Sequence, residues 1–116
     1  MGLDMYLHTA TGKEVAYWRK ANAIHRYLSE KGEAVEGEKD VYEVSRHTLL
    51  NLCLNCANVL RRPYLSEAIL PTMDGPFFGP TDYGEFYREG LADTVENVLL
   101  ALVENDDKIF YYYAWY

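Results

Sequence analysis

A chain of 116 residues, 49% of them hydrophobic, has the length of one ordinary domain and is too apolar to remain disordered. Eighteen acidic against 11 basic residues give a formal net charge of −7, which argues against a nucleic-acid backbone or an anionic membrane as partner, because both are bound with surplus Lys and Arg. The longest wholly apolar run, Val98–Val103, falls far short of the roughly 20 residues that cross a bilayer. The start Met1-Gly2-Leu3-Asp4-Met5 lacks the basic and apolar blocks of a secretory signal, and Tyr6 stands where a myristoylation signal needs Ser or Thr. The expectation is a single domain over 1–116, kept in the cytoplasm.

Leu3, Met5 and Leu7 alternate with Asp4, Tyr6 and His8, the period of a half-covered strand, and Thr11-Gly12 breaks the run. The spacing of Tyr17, Ala21, Ile24 and Leu28 predicts a helix from about Glu14 to Lys31, ended by Gly32. Glu33–Asp40 reads as a solvated loop and Val41–Val44 as a short strand. Ser45 is a good N-cap for a second helix with its stripe on Leu49, Leu52, Cys53, Cys56 and Leu60, and Pro63 stops it.

All four prolines fall between 63 and 80. Glu67–Leu70 and Phe77–Phe78 are expected to pair as short strands across Met73-Asp74-Gly75, inside a connection long enough to suggest a functional loop. A third helix is expected from Thr81 or Asp82, with Glu85 closing a capping box on Asp82 and a stripe from Tyr83 through Leu102. Ile109–Tyr116, six of its eight residues aromatic, reads as a last strand beside the first. These elements make a two-layer α+β domain, a small mixed or antiparallel sheet against three helices.

Catalytic patterns are missing. Cys53 and Cys56 form a Cys-x-x-Cys in mid-helix, without a second ligand pair or a helix N-terminus to lower the thiol pKa, and on the stripe of Leu49 they read as core. His8, His25 and His47 lie on separate elements without metal-ligand spacing. No phosphate loop, nucleophile elbow or protease signature is present, so no catalytic residue, metal or cofactor is assigned and the reading leans away from an enzyme.

Binding surfaces are easier to nominate. On a helix over 14–31, Trp18, Asn22 and His25 share a ridge beside the core stripe, and Phe77-Phe78 form the tip of the proline-rich loop, followed by Asp82, Tyr83 and Glu85. Rings bury much area at low rotamer cost, which suits them as partner contacts. The strand face carrying Asp4, Tyr6 and His8, beside the tyrosine-rich end, is expected to be an aromatic sheet surface that is either open for a partner or a second copy of the chain, or covered by another element. Magnitude argues against mimicry of a whole DNA duplex and leaves a smaller acidic patch meeting a basic groove: a helix over 82–104 would be about 35 Å long, a length over which duplex carries about 20 phosphate charges, against a net −7 for the entire chain. An alternative use of the same region is a pocket between the first helix and the 71–83 loop, where aromatics stack a nucleotide-like ligand and Arg19, Lys20 or His25 meets its anion.

The opening MGLDMYL and the block Glu14–His25 (EVAYWRKANAIH), followed by Tyr42–Ser45, Ile69-Leu70-Pro71-Thr72, Phe77-Phe78-Gly79, Thr81, Tyr83 and Phe110-Tyr111-Tyr112, resemble a family of small bacteriophage and prophage proteins of unassigned function. The landmarks run in order along nearly the whole chain. The closing Tyr113-Ala114-Trp115-Tyr116 departs from that family's more polar ending. The resemblance implies a phage setting, and by analogy a binding protein that inhibits or modulates a host protein, such as a nucleic-acid-binding defence complex, in the manner of an anti-CRISPR inhibitor. No direct contact with nucleic acid or membrane is expected.

Overall fold

In a computed structural model, which describes residues 2–116, the chain is α+β: one five-stranded antiparallel sheet with helices packed against it. Strand β1 (Asp4–Thr9) lies inside the sheet, paired on one side with the edge strand β2 (Glu14–Arg19) and on the other with the central, last strand, β5 (Ile109–Trp115). Beyond β5 lie β4 (Val41–Ser45) and a two-residue edge strand, β3 (Glu33–Ala34), so the order is β2-β1-β5-β4-β3. The expected neighbourhood of first and last strands is therefore present.

Alternation along the strands decides which residues are core. Met5 and Leu7 of β1, Ala16 and Trp18 of β2, Val44 of β4, and Phe110, Tyr112 and Ala114 of β5 all point to one face and join a single buried cluster with the helices. Those helices are α1 (Asn22–Lys31), α2 (Arg46–Arg61), the short α3 (Ser66–Ile69) and α4 (Glu85–Glu104). From α1 come Ile24 and Leu28, from α2 Leu49, Leu52, Cys53, Cys56 and Val59, and from α4 Leu91, Val98 and Leu102. Ser45 caps α2 as expected, its Oγ accepting from the Thr48 N–H at 3.1 Å. At the same end of α2, Arg46 donates to the carbonyls of Leu102, Asn105 and Asp107, placing a cation on the negative end of α4.

Three expectations fail, each for a local reason. Glu14–Arg19 is strand rather than the first half of a helix. Glu14–Arg19 also carries a period-2 pattern, with Ala16 and Trp18 inward and Tyr17 (45% exposed) and Arg19 outward, and the hairpin from β1 across Gly12 (φ +92°) lets that pattern pair. The helix begins only after Lys20, whose left-handed backbone (φ +56°) turns the chain. Glu67–Leu70 and Phe77–Phe78 do not pair as strands: Ser66–Ile69 is helical, and 71–84 runs without regular structure, held by side-chain hydrogen bonds. No capping box forms at Asp82, because the last helix starts at Glu85, and the Asp82 carboxylate instead accepts from the Gly84 N–H at 3.1 Å. The 33–40 loop also contains the edge strand β3.

Gly90 lies inside α4, and a Cβ built there meets nothing within 4 Å. Gly90→Ala is therefore expected to stabilise the fold by about 1 kcal/mol, the helix-propensity difference between the two residues, read as a higher urea midpoint with an unchanged slope; a lower midpoint would show that the space is not free.

Candidate functional site

The nominated ridge is turned inward. Trp18 is 5% exposed and lies on the covered face of β2, where its Nε1–H donates to Thr94 Oγ1 at 2.8 Å and its ring meets Tyr112 edge-on. Asn22, the first residue of α1, is buried and spends its whole amide: Nδ2 donates to the carbonyls of Phe78 (3.0 Å) and Pro80 (2.9 Å), and Oδ1 accepts from the Met73 N–H (3.0 Å). One side chain thus fastens the proline-rich segment across the start of the helix. Because each bond satisfies an otherwise stranded backbone group, this amide is structural in action.

His25 is buried one turn further on. The Tyr112 hydroxyl lies 2.6 Å from His25 Nδ1, and the rings of Phe78 and Tyr116 stand edge-on to the imidazole at 5.5 and 5.7 Å. Burial holds the imidazole below its ordinary pKa, partly offset by the Asp40 charge, and pushes the Tyr112 phenol well above its own. Both groups are therefore neutral near pH 7, and the imidazole tautomer sets which of the two donates. Phe78 is buried too, and its near-perpendicular contact with Tyr116 (4.8 Å) closes this aromatic corner.

Of the nominated contacts, four thus belong to the interior: Trp18, Asn22, His25 and Phe78. Phe77 is 66% exposed with its backbone left-handed (φ +59°), while its carbonyl accepts from the Leu3 N–H. Asp82 and Glu85 are exposed, and Tyr83 is half-buried against Tyr87 with its hydroxyl accepting from the Thr72 N–H. Cys53 and Cys56 are buried free thiols, and burial pushes Cys53 up to about 11 and Cys56 higher still, so neither is a thiolate near neutrality. Among the described residues no three His, Cys, Asp or Glu side chains converge on a metal position.

What lies open is the other face of the sheet, and the registers arrange it in rows. Tyr17, Tyr6, Tyr113 and Val41 form one row across four strands. The Tyr6 ring stacks on Tyr113 at 5.9 Å and tilts against Tyr17 at 5.3 Å. The next row runs Glu14, His8, Tyr111, Glu43, Glu33 across all five strands. On the opposite side, Arg19, Asp4 and Trp115 form a third row, in which Asp4 accepts from Tyr17 Oη (2.7 Å) and pairs with Arg19 (3.1 Å). The Tyr17 and Arg19 contacts hold the Asp4 carboxyl below the usual carboxylate range. The result is an aromatic stripe bordered by carboxylates.

Two shallow hollows open on this face. Tyr6, His8, Glu14, Tyr113 and Trp115 line one, and Glu33, Ala34, Val35, Glu43 and Tyr111 line the other. The alternation of β1 and β5 signalled this face in the sequence. The pairing of Glu33 opposite Glu43 could not be read there, because it depends on an edge strand two residues long.

The buried imidazole has a pH signature. Its folded pKa lies below the ordinary 6.5, so the unfolded chain takes up the proton first. The stability it supports is complete above about pH 6.5 and is lost as pH falls from there towards the folded value, by at most about 1.4 kcal/mol per pH unit. Urea unfolding between pH 7.5 and 5 is expected to show this decline in the parent chain and a flatter profile in His25→Gln; parallel profiles would show that the imidazole is not held neutral. A scan against protein-family models, a search of curated proteins and a search of solved structures each found no match to this chain.

Proposed function

We propose that the chain is a phage-type, non-enzymatic binding protein that modulates a host protein by docking a basic, arginine-bearing segment of it on the open face of the sheet. One observation carries the reading: each of the two hollows on that face combines a carboxylate with at least one tyrosine ring. A guanidinium suits such a seat, because its plane lies over an aromatic face while its edge forks onto a carboxylate. Glu33 and Glu43 stand directly opposite each other in an antiparallel pair. Like charges in that position cost stability in the free protein, and a bound cation relieves the cost.

Glu14 and Glu43 share a row three strand spacings apart, about 14 Å. An extended segment with basic side chains four residues apart spans the same distance. The net charge of −7 adds long-range attraction for such a partner. Trp115, 61% exposed beside Tyr113, supplies a ring of the kind that anchors interfaces. The resemblance to phage proteins supports a bacterial host protein, with a nucleic-acid-binding defence complex as the class whose basic surfaces fit best.

The test uses outward side chains that carry no core contact. Capture from a bacterial lysate is expected to retain a basic protein on the parent chain, to weaken as salt is raised, and to be lost with Tyr6→Ser plus Trp115→Ser and with Glu14→Lys plus Glu43→Lys, at unchanged melting temperature. Retention by both variants would contradict the proposal. So would a face sealed by a second copy, seen as a dimer in light scattering that the same substitutions dissolve.

A further inference from the structure

We infer that the cleft between the start of α1 and the first half of α4 binds a small zwitterion, with an acid group at one end, an ammonium at the other and an apolar body between. The cleft encloses about 310 Å3, in the range of small-ligand sites. It opens beside the edge of the sheet, with Tyr17 and the Asp4-paired Arg19 on its rim, and buried Trp18, Tyr87 and Leu91 give it an apolar lining.

The acid end is set by Lys20. This residue lines the cleft, is half-buried, and has a left-handed backbone, a strain that needs support from its surroundings. Its stem is confined between two glycines, both at positive φ. A Cβ on Gly79 would stand 2.9 Å from Lys20 Cβ, and one on Gly2 would stand 3.2 Å from Lys20 Cε. Among the described residues the ammonium has no carboxylate partner. Beside it α1 begins without a side-chain cap and without an acid in its first turn, and its first internal bonds are those of the Ile24 and His25 N–H groups to the Ala21 carbonyl. The positive end of α1, starting two residues after Lys20, adds to the Lys20 charge.

The opposite wall has the reverse sign. Glu89 and Asp93, exposed and one turn apart on α4, line the cleft without an ion pair. A multiply charged anion such as a nucleotide would meet both carboxylates, whereas a ligand with one acid group and a distant ammonium satisfies both walls. The three bonds of Asn22 hold the wall from the 71–84 segment in place before any ligand arrives, which reduces the ordering that binding requires.

Titration of 15N-labelled protein with 4-(aminomethyl)benzoate, against benzoate, benzylamine and adenosine monophosphate, tests this directly. The expected result is saturable binding of the zwitterion, about tenfold weaker binding of each half-probe, and little binding of the nucleotide. Lys20→Gln and Asp93→Asn are each expected to weaken the zwitterion several-fold. Gly90→Leu, whose side chain enters the open space of the cleft, is expected to abolish binding without lowering the melting temperature. No binding, equal binding of a half-probe, preference for the nucleotide, or unaltered binding by both Lys20→Gln and Asp93→Asn would overturn the inference.

Discussion

Side-chain alternation in β5 ties the interior of this molecule to its exterior. Phe110, Tyr112 and Ala114 face the helices, so Tyr111, Tyr113 and Trp115 must face the other way. The first set lies in one core cluster with residues of α1, α2 and α4, whereas Tyr111 and Tyr113 are only half-buried and Trp115 is exposed. A slip of one residue in the pairing of β5 with β1 would exchange the sets, burying hydroxyls without partners and exposing Phe110. The Tyr112 hydroxyl bonded to His25, together with the edge-on contact of Trp18 with Tyr112, penalises that slip from inside the core.

The same constraint explains why polar residues gather in the covered layer. Asn22, His25 and Thr94 are buried, and each is bonded: Asn22 to the proline-rich segment, His25 to Tyr112, and Thr94 both to Trp18 and to the Gly90 carbonyl. These contacts join elements distant in sequence, and they convert 71–84 from a loose connection into a fixed wall. Buried polar groups satisfied in this way specify one arrangement of the chain more than they add net stability.

How much could be read beforehand follows from the range of each signal. β1, β4, β5 and α2 were legible because alternation, a helical stripe and the Ser45 cap are local patterns. Glu14–Arg19 was not, because Tyr17 fits both a helical stripe starting there and a strand, and only pairing with β1 decides between them. Trp18, Asn22, His25 and Phe78 read as contacts because nothing local distinguishes a polar or aromatic residue that faces solvent from one bonded across the core; the partners Thr94, Pro80 and Tyr112 are 58 to 87 residues away. The aromatic sheet face was legible from alternation, whereas the opposed Glu33 and Glu43 that give it its charge were not.

The proposed function requires the outward rows of the sheet to be a seat for basic side chains. Amide chemical shifts of the 15N-labelled chain, followed while an extended peptide with arginines four residues apart is added at low salt, test that most directly. Saturable shifts are expected, centred on Tyr6, Glu14, Glu43, Tyr111 and Tyr113 and fading as salt rises, with α2 and α4 unmoved. Shifts concentrated on the helices, or none at all on the sheet, would contradict it.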